Sequence, residues 1–174
     1  MNRLAICLAF VARWEGGWSD HAADRGGKTK FGITEKTWDA YAYRHGIVAS
    51  VRDITLEQAH DVYAEGYWVP SHACDCAPGL DLAVLDFAIN SGVHRAVTYL
   101  QVLLGVTSDG VWGPNTAAAL ASANPLAVAR ELCNEREALF RAIVTHDPSQ
   151  AVFLKGWLAR VNALRSQLTP GTAP

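Results

Sequence analysis

Apolar and polar positions along the chain sort into helical stripes, one alternating segment and a set of sharp breaks. Leu4, Leu8, Val11 and Glu15 fall at i, i+4, i+7 and i+11, one face of a helix that Gly16 and Gly17 end. From Lys28 to Thr34 the pattern changes to alternation, with Thr29, Phe31 and Ile33 on one side and Lys28 and Lys30 on the other. That predicts a short strand, one arm of a small hairpin turned at Gly26-Gly27. Thr34 can N-cap a helix over 35–45 that Gly46 closes, and Thr55-Leu-Glu-Gln58 is a capping box opening a helix towards Tyr67. Tyr63, Tyr67 and Trp68 make that helix aromatic on one side.

Turn formers from Val69 to Gly79 mark the best internal boundary and predict two segments, 1–78 and 79–174, with no long linker. Leu80, Leu82, Val84, Leu85, Phe87 and Ile89 then make a helix apolar almost all round, hence central and buried. It is too apolar to belong to one small half alone, so the halves are expected to pack as one body. Gly92 ends it, a helix over 95–104 follows, and Asp109-Gly110 is a turn. Gly113-Pro114, Asn124-Pro125 and Asp147-Pro148 each place a proline at a helix start, the last two opening helices over about 126–145 and 149–168. Residues 169–174 read as a tail. The fold class expected is mainly α with a small β-hairpin.

Composition narrows this only in part. The 174 residues are 50% hydrophobic and 18% charged, enough for a sizeable core and against disorder. A net charge of −2 gives no strong pull towards nucleic acid or an anionic membrane, so no nucleic-acid partner and no stable membrane insertion are expected. The apolar run 4–12 is too short to span a bilayer, and cleavage after it would strip Glu15 of its helix, so it reads as a buried first helix rather than a signal peptide. Cys7, Cys74, Cys76 and Cys133 read as free thiols of a chain made in the cytoplasm. Cys74-Asp-Cys76 lacks the spacing of a zinc knuckle, and the six histidines are scattered, so neither a metal nor a cofactor is expected.

The candidate chemistry lies at the end of the first helix. Glu15 continues an apolar stripe and sits at an electronegative helix C-terminus, two effects that raise a carboxyl pKa and suit a general acid. Asp24, nine positions on, lies among charged and glycine residues where a carboxylate stays ionised. Two carboxyls pushed apart in this way are the chemistry of glycoside hydrolysis; the plain alternative is a Glu before a glycine cap and an Asp in a turn. Tyr67 and Trp68 read either as core rings or as a wall on which sugars stack. Asp86 and Asn90, at i and i+4 on the apolar helix, need internal partners or stand near a substrate groove.

Glu15-Gly-Gly-Trp18, followed by Asp24-x-Gly-Gly-x-Thr29-x-Phe-Gly-Ile-Thr34, closely resembles the catalytic motif of the glycoside hydrolase family 108 muramidases, lysozyme-like proteins found as phage endolysins and secretion-associated enzymes. The resemblance implies Glu15 as catalytic acid, Asp24 and Thr29 as its partners, and Trp18 as a substrate-binding residue. Ala22 and Arg25 stand where members often carry proline, and Lys30 where Asn is common. Downstream, Leu100-Gln101, Leu104-Gly105 and Asp109-Gly110-x-x-Gly113-Pro114-x-Thr116 resemble the peptidoglycan-binding domain of the same family, with Asp86-Phe-Ala-Ile-Asn90-Ser-Gly92 assigned to that second match. The implied fold is a lysozyme-like helical body with the hairpin at its cleft. The implied activity is cleavage of the β-1,4 bond between N-acetylmuramic acid and N-acetylglucosamine, with peptidoglycan as partner. A holin or a secretion system would carry the enzyme to the periplasm or cell wall. Two rivals stay open: a lytic transglycosylase, and a non-catalytic wall-binding or secretion-scaffold protein.

Overall fold

The computed structural model describes residues 2–14 and 29–168, and they form two compact units that divide between Trp68 and Val69. The chain is mainly α, with eight α-helices and one two-stranded sheet among the described residues.

In the first unit, α1 (Arg3–Val11) starts where the Asn2 side chain accepts the N–H of Leu4, and it buries Cys7, Leu8, Phe10 and Val11. Its exit tightens into bonds from Arg13 N–H to the Phe10 carbonyl (3.1 Å) and from Trp14 N–H to that of Val11 (2.9 Å). β1 (Thr29–Lys30) and β2 (Ile33–Thr34) pair antiparallel, Thr29 opposite Thr34 and Lys30 opposite Ile33. The turn of the hairpin is therefore Phe31-Gly32, not the expected Gly26-Gly27. Both residues have positive φ, 53° and 76°, as a two-residue turn must when it follows the strands' own twist. The alternation read as one strand is in fact two short arms folded over Phe31-Gly32.

Thr34 caps α2 (Glu35–His45) and Gly46 closes it in the left-handed conformation, as the cap residues predict. Trp38, fully buried, is the largest core side chain here; its indole N–H donates to the Ala49 carbonyl at 2.7 Å. The capping box at Thr55 and Gln58 opens α3 (Leu56–Tyr63), which runs directly into one π-helical turn, Ala64–Trp68.

The second unit is built on α4 (Leu80–Ser91), buried from Leu80 through Ala88. It packs against α5 (Val93–Leu104) and α7 (Pro125–His146), and α7 packs against α8 (Ala151–Gln167). Gly92, at φ 90°, is the whole corner between α4 and α5, so α5 starts two residues earlier than expected. The three Gly-Pro, Asn-Pro and Asp-Pro signals open α6 (Pro114–Ser122), α7, and a 3-10 turn (Pro148–Gln150) that leads into α8. The expected tail 169–174 lies outside the described residues.

Asp86 is the polar centre of this unit. Its carboxylate is fully buried and takes Arg136 Nη1 at 2.8 Å, Arg160 Nη2 at 2.8 Å and Arg160 Nε at 3.0 Å. Arg136 shares that acid with Arg160, and its own Nε and Nη2 make no hydrogen bond. Arg136 offsets this with its neighbours: its guanidinium carbon lies 5.3 Å from the centre of the Phe87 ring and 5.8 Å from that of Phe140. The negative ring faces stabilise the cation where water is excluded.

Gln101, also buried, organises the turn that follows α5. Its amide donates to Asp109 Oδ1 (3.0 Å), the Val111 carbonyl (3.0 Å) and Thr116 Oγ1 (3.2 Å), while its Oε1 accepts Gly110 N–H at 2.8 Å. The Val111 N–H and then the Gln101 amide hold the Asp109 carboxyl below its ordinary pKa.

Breaking the Asp86 cluster from the acid side strands two buried cations. Asp86→Ala is expected to cost about 3–5 kcal/mol, whereas Arg136→Met, which removes an incompletely bonded buried cation and roughly keeps the volume, should cost far less; urea unfolding midpoints compare the two. Gln101→Ala is expected to cost about 1–3 kcal/mol by leaving the turn's polar groups unpaired. Because the folded Asp109 pKa is lowered, its contribution is present above the ordinary carboxyl range and lost as pH falls through the folded value. The stability gap between wild type and Asp109→Asn should therefore close as pH drops below about 4, read from melting curves.

Candidate active site

Glu15, Trp18 and Asp24 lie outside the described residues, and what the structure gives is the frame on either side of them. The motif enters from the tight last turn of α1 at Trp14 and leaves into β1 at Thr29. Phe10 and Trp14 keep ring contact across that exit, with centroids 6.5 Å apart. Thr29, half-buried, opens the first strand, and its register partner Thr34 is the N-cap of α2. The Thr34 hydroxyl accepts Thr37 N–H at 3.2 Å, so the end of the motif is tied to a helix start.

The hairpin is fastened from two sides. The Tyr63 hydroxyl donates to the Phe31 carbonyl at 2.8 Å, and Lys30 Nζ donates to the Arg52 carbonyl at 2.7 Å while lying 5.3 Å from the Phe31 ring centre. Lys30 thus has a definite structural task. Phe31 is a bulky residue in the left-handed region, worth roughly 1–2 kcal/mol of strain. A hydrogen bond at about 0.5–1.5 kcal/mol and an exposed cation–π contact at about 0.5–1 kcal/mol are of the size needed to hold it.

Of the aromatic wall expected on α3, Tyr63 is buried, while Tyr67 and Trp68 are half-buried on the π-helical turn. The Tyr63 and Tyr67 rings meet at 5.9 Å. Sequence reasoning did not find what anchors this turn. Glu65 accepts Arg44 Nη2 at 2.7 Å and meets His45 Nε2 at 2.6 Å, and these two partners, His45 first, hold its carboxyl below the ordinary value. Twenty residues separate the partners and no local pattern links them. A π-turn is an irregularity often found at functional sites, here tied to the C-terminus of α2.

Asp86 and Asn90 touch each other but stand in different environments. Asp86 has both oxygens engaged by Arg136 and Arg160 away from solvent, which is structural hydrogen bonding, the other of its two readings. Asn90 is exposed, and its amide donates back to the Asp86 carbonyl at 2.8 Å. Among the described residues no three His, Cys, Asp or Glu side chains are grouped to hold a metal, and no helix is long and apolar enough to cross a membrane. None of the four cysteines is in a disulfide, and burial pushes the Cys76 thiol up to about 12 and that of Cys133 up to about 11.

The family model described as Glycosyl hydrolase 108 matches residues 8–92, and the one described as Predicted Peptidoglycan domain matches residues 95–162. The segment from Asp86 to Gly92 therefore falls in the first match, correcting its assignment to the second; the first match ends at Gly92, the glycine corner between α4 and α5. No curated protein matches. Among solved structures, that of Brucella abortus SagA is similar over 98% of each chain, at 37% identity and a TM-score of 0.82. With two adjoining domain matches in order and a relative this similar from end to end, the chain belongs to the glycosyl hydrolase 108 family.

Proposed function

We propose that this glycoside hydrolase is an N-acetylmuramidase, cleaving the β-1,4 bond between N-acetylmuramic acid and N-acetylglucosamine of peptidoglycan in the periplasm or cell wall. The observation that carries the reading is the ordered set Glu15, Asp24 and Thr29 inside the part of the chain that matches the glycosyl hydrolase family. The adjoining peptidoglycan domain match supports the same substrate.

In this reading Glu15, arriving from the apolar face of α1, protonates the leaving oxygen. Asp24, as a carboxylate, steadies the oxocarbenium-like centre, attacks it or orients water towards it. Thr29, held in the hairpin register, orients water or a sugar hydroxyl. Trp18, Tyr67 and Trp68 offer aromatic faces to sugar rings. Asp86 acts only through the core.

Glu15→Gln keeps the shape of the side chain and removes its proton, so clearing of purified cell walls should fall by roughly 10²–10⁴-fold while the melting temperature is kept. A folded Glu15→Gln protein with wild-type activity would refute the assignment. Asp24→Asn should cost orders of magnitude in rate, and Thr29→Ala less, since a hydroxyl can orient water but carries no charge. NMR of the first-formed anomer separates the two hydrolytic routes: retention implies carboxyls about 5–5.5 Å apart, inversion about 6.5–9.5 Å. An anhydro product by mass, with Asp24→Asn near normal, would move the reaction to the transglycosylase class.

A further inference from the structure

The second unit contains a groove of about 310 Å³ that the catalytic reading does not use. Trp112, Ala117, Leu120, Ala121, Ala123 and Pro125 line it together with Asp75 and Ala77. Its floor is small and apolar, and its one large ring is the indole of Trp112. That ring is held by a neighbouring ring. The His72 imidazole stacks on it at 4.2 Å between centroids and 7° from parallel, and His72 Nδ1 in turn meets Asp75 Oδ2 at 2.8 Å. His72 itself is in the left-handed backbone region, at φ 56°, a conformation that persists only where surroundings over-determine it. From the chain side, the Gln101 amide fixes the same turn through Asp109, Gly110 and Val111, the residues just before Trp112.

We infer that this groove is a docking site for an N-acetylated amino-sugar ring of a glycan strand, with Trp112 as the stacking platform and Asp75 as acceptor for the sugar's hydroxyl or amide donors. A pyranose ring has an apolar C–H face and a polar edge. The groove offers the matching pair, a preset aromatic plane and a carboxylate that can only accept hydrogen bonds when ionised. Its volume lies at the low end for ligand sites, room for roughly one or two sugar rings. Trp112 and the apolar floor from Ala117 to Pro125 lie inside the segment matched by the Predicted Peptidoglycan domain, which argues for a glycan over any other apolar ligand. The inference deepens the proposed function by adding a grip on the same polymer, and rests on that reading for the identity of the polymer.

The experiment titrates the full chain, carrying Glu15→Gln to stop turnover, with a tetramer of N-acetylglucosamine, following indole N–H signals by NMR. The Trp112 signal is assigned by its loss in Trp112→Ala. Ala121→Trp, at an exposed position in the groove lining, occupies the groove while leaving Trp112 and His72 unsubstituted, and guards against a folding defect in Trp112→Ala. The expected result is a saturable shift of the Trp112 signal, weakened at least about tenfold by Ala121→Trp, the scale of losing an aromatic anchor. Retention of the full chain on purified sacculi should fall in parallel. A silent Trp112, wild-type binding in Ala121→Trp, or a response to the sugar-free stem peptide in place of the tetramer would each overturn it. If wild-type enzyme leaves walls intact while Trp112 still answers to the sugar, the muramidase reading falls and the groove stands.

Discussion

The second unit depends on a single carboxylate. Asp86 sits in the middle of the most buried α-helix among the described residues, and its two oxygens are held by guanidiniums 50 and 74 residues further on. Apolar contact alone lets helices slide, since it is non-directional. A bidentate grip from Arg160 on α8 and a single bond from Arg136 on α7 give α4 one register against both. Such a cluster need not add net stability over an apolar replacement; fixing register is its better-attested use. Here that matters because α4 turns straight into α5 at Gly92, and α5 carries Gln101, which builds the turn bearing Trp112. A slip at Asp86 would be passed along to the groove.

Much of this was legible in the sequence because much of it is local. Caps and helix-opening prolines act over three or four residues, so Thr34 to Gly46, the Thr55–Gln58 box and the starts at Pro114 and Pro125 follow from nearest neighbours alone. The hairpin was misplaced for a related reason. A two-residue turn with both residues at positive φ is usually announced by Asn-Gly or Asp-Gly, and Phe31-Gly32 hides it behind an apolar ring. What restrains that ring, the Tyr63 hydroxyl, lies 32 residues away. The partners of Asp86 and of Glu65 are equally remote. The need for partners was visible at Asp86; their identity was not. For the candidate site, residue types and spacing suggest the chemistry, while the contacts around its described end come only from the fold.

Two residues other than glycine, Phe31 and His72, take positive φ among those described, one in each unit. Both are aromatic, and both stand at strained turns next to a candidate sugar-handling feature. The strain is roughly 1–3 kcal/mol each and is borne because the side chain or carbonyl has a fixed employment, under Tyr63 in one case and beneath Trp112 in the other. A looser glycine turn would relieve the strain and forfeit the placement.

Placement is what glycoside cleavage requires of this protein, since an ångström of misalignment at the reacting atoms can cost about a hundredfold. The frame supplies it unequally. The acid of the proposed mechanism follows α1, whose last turns are closed by short bonds at Arg13 and Trp14. Thr29 is fixed through register to Thr34, and through Thr34 to the first turn of α2. The hairpin between them is pinned by Tyr63 on α3 and by Lys30 on the turn at Arg52. Three separate elements of the first unit thus converge on six residues, 29–34. The C-terminal end of the proposed catalytic motif thus lies in a hairpin held by elements whose own caps and cores have nothing to do with sugar.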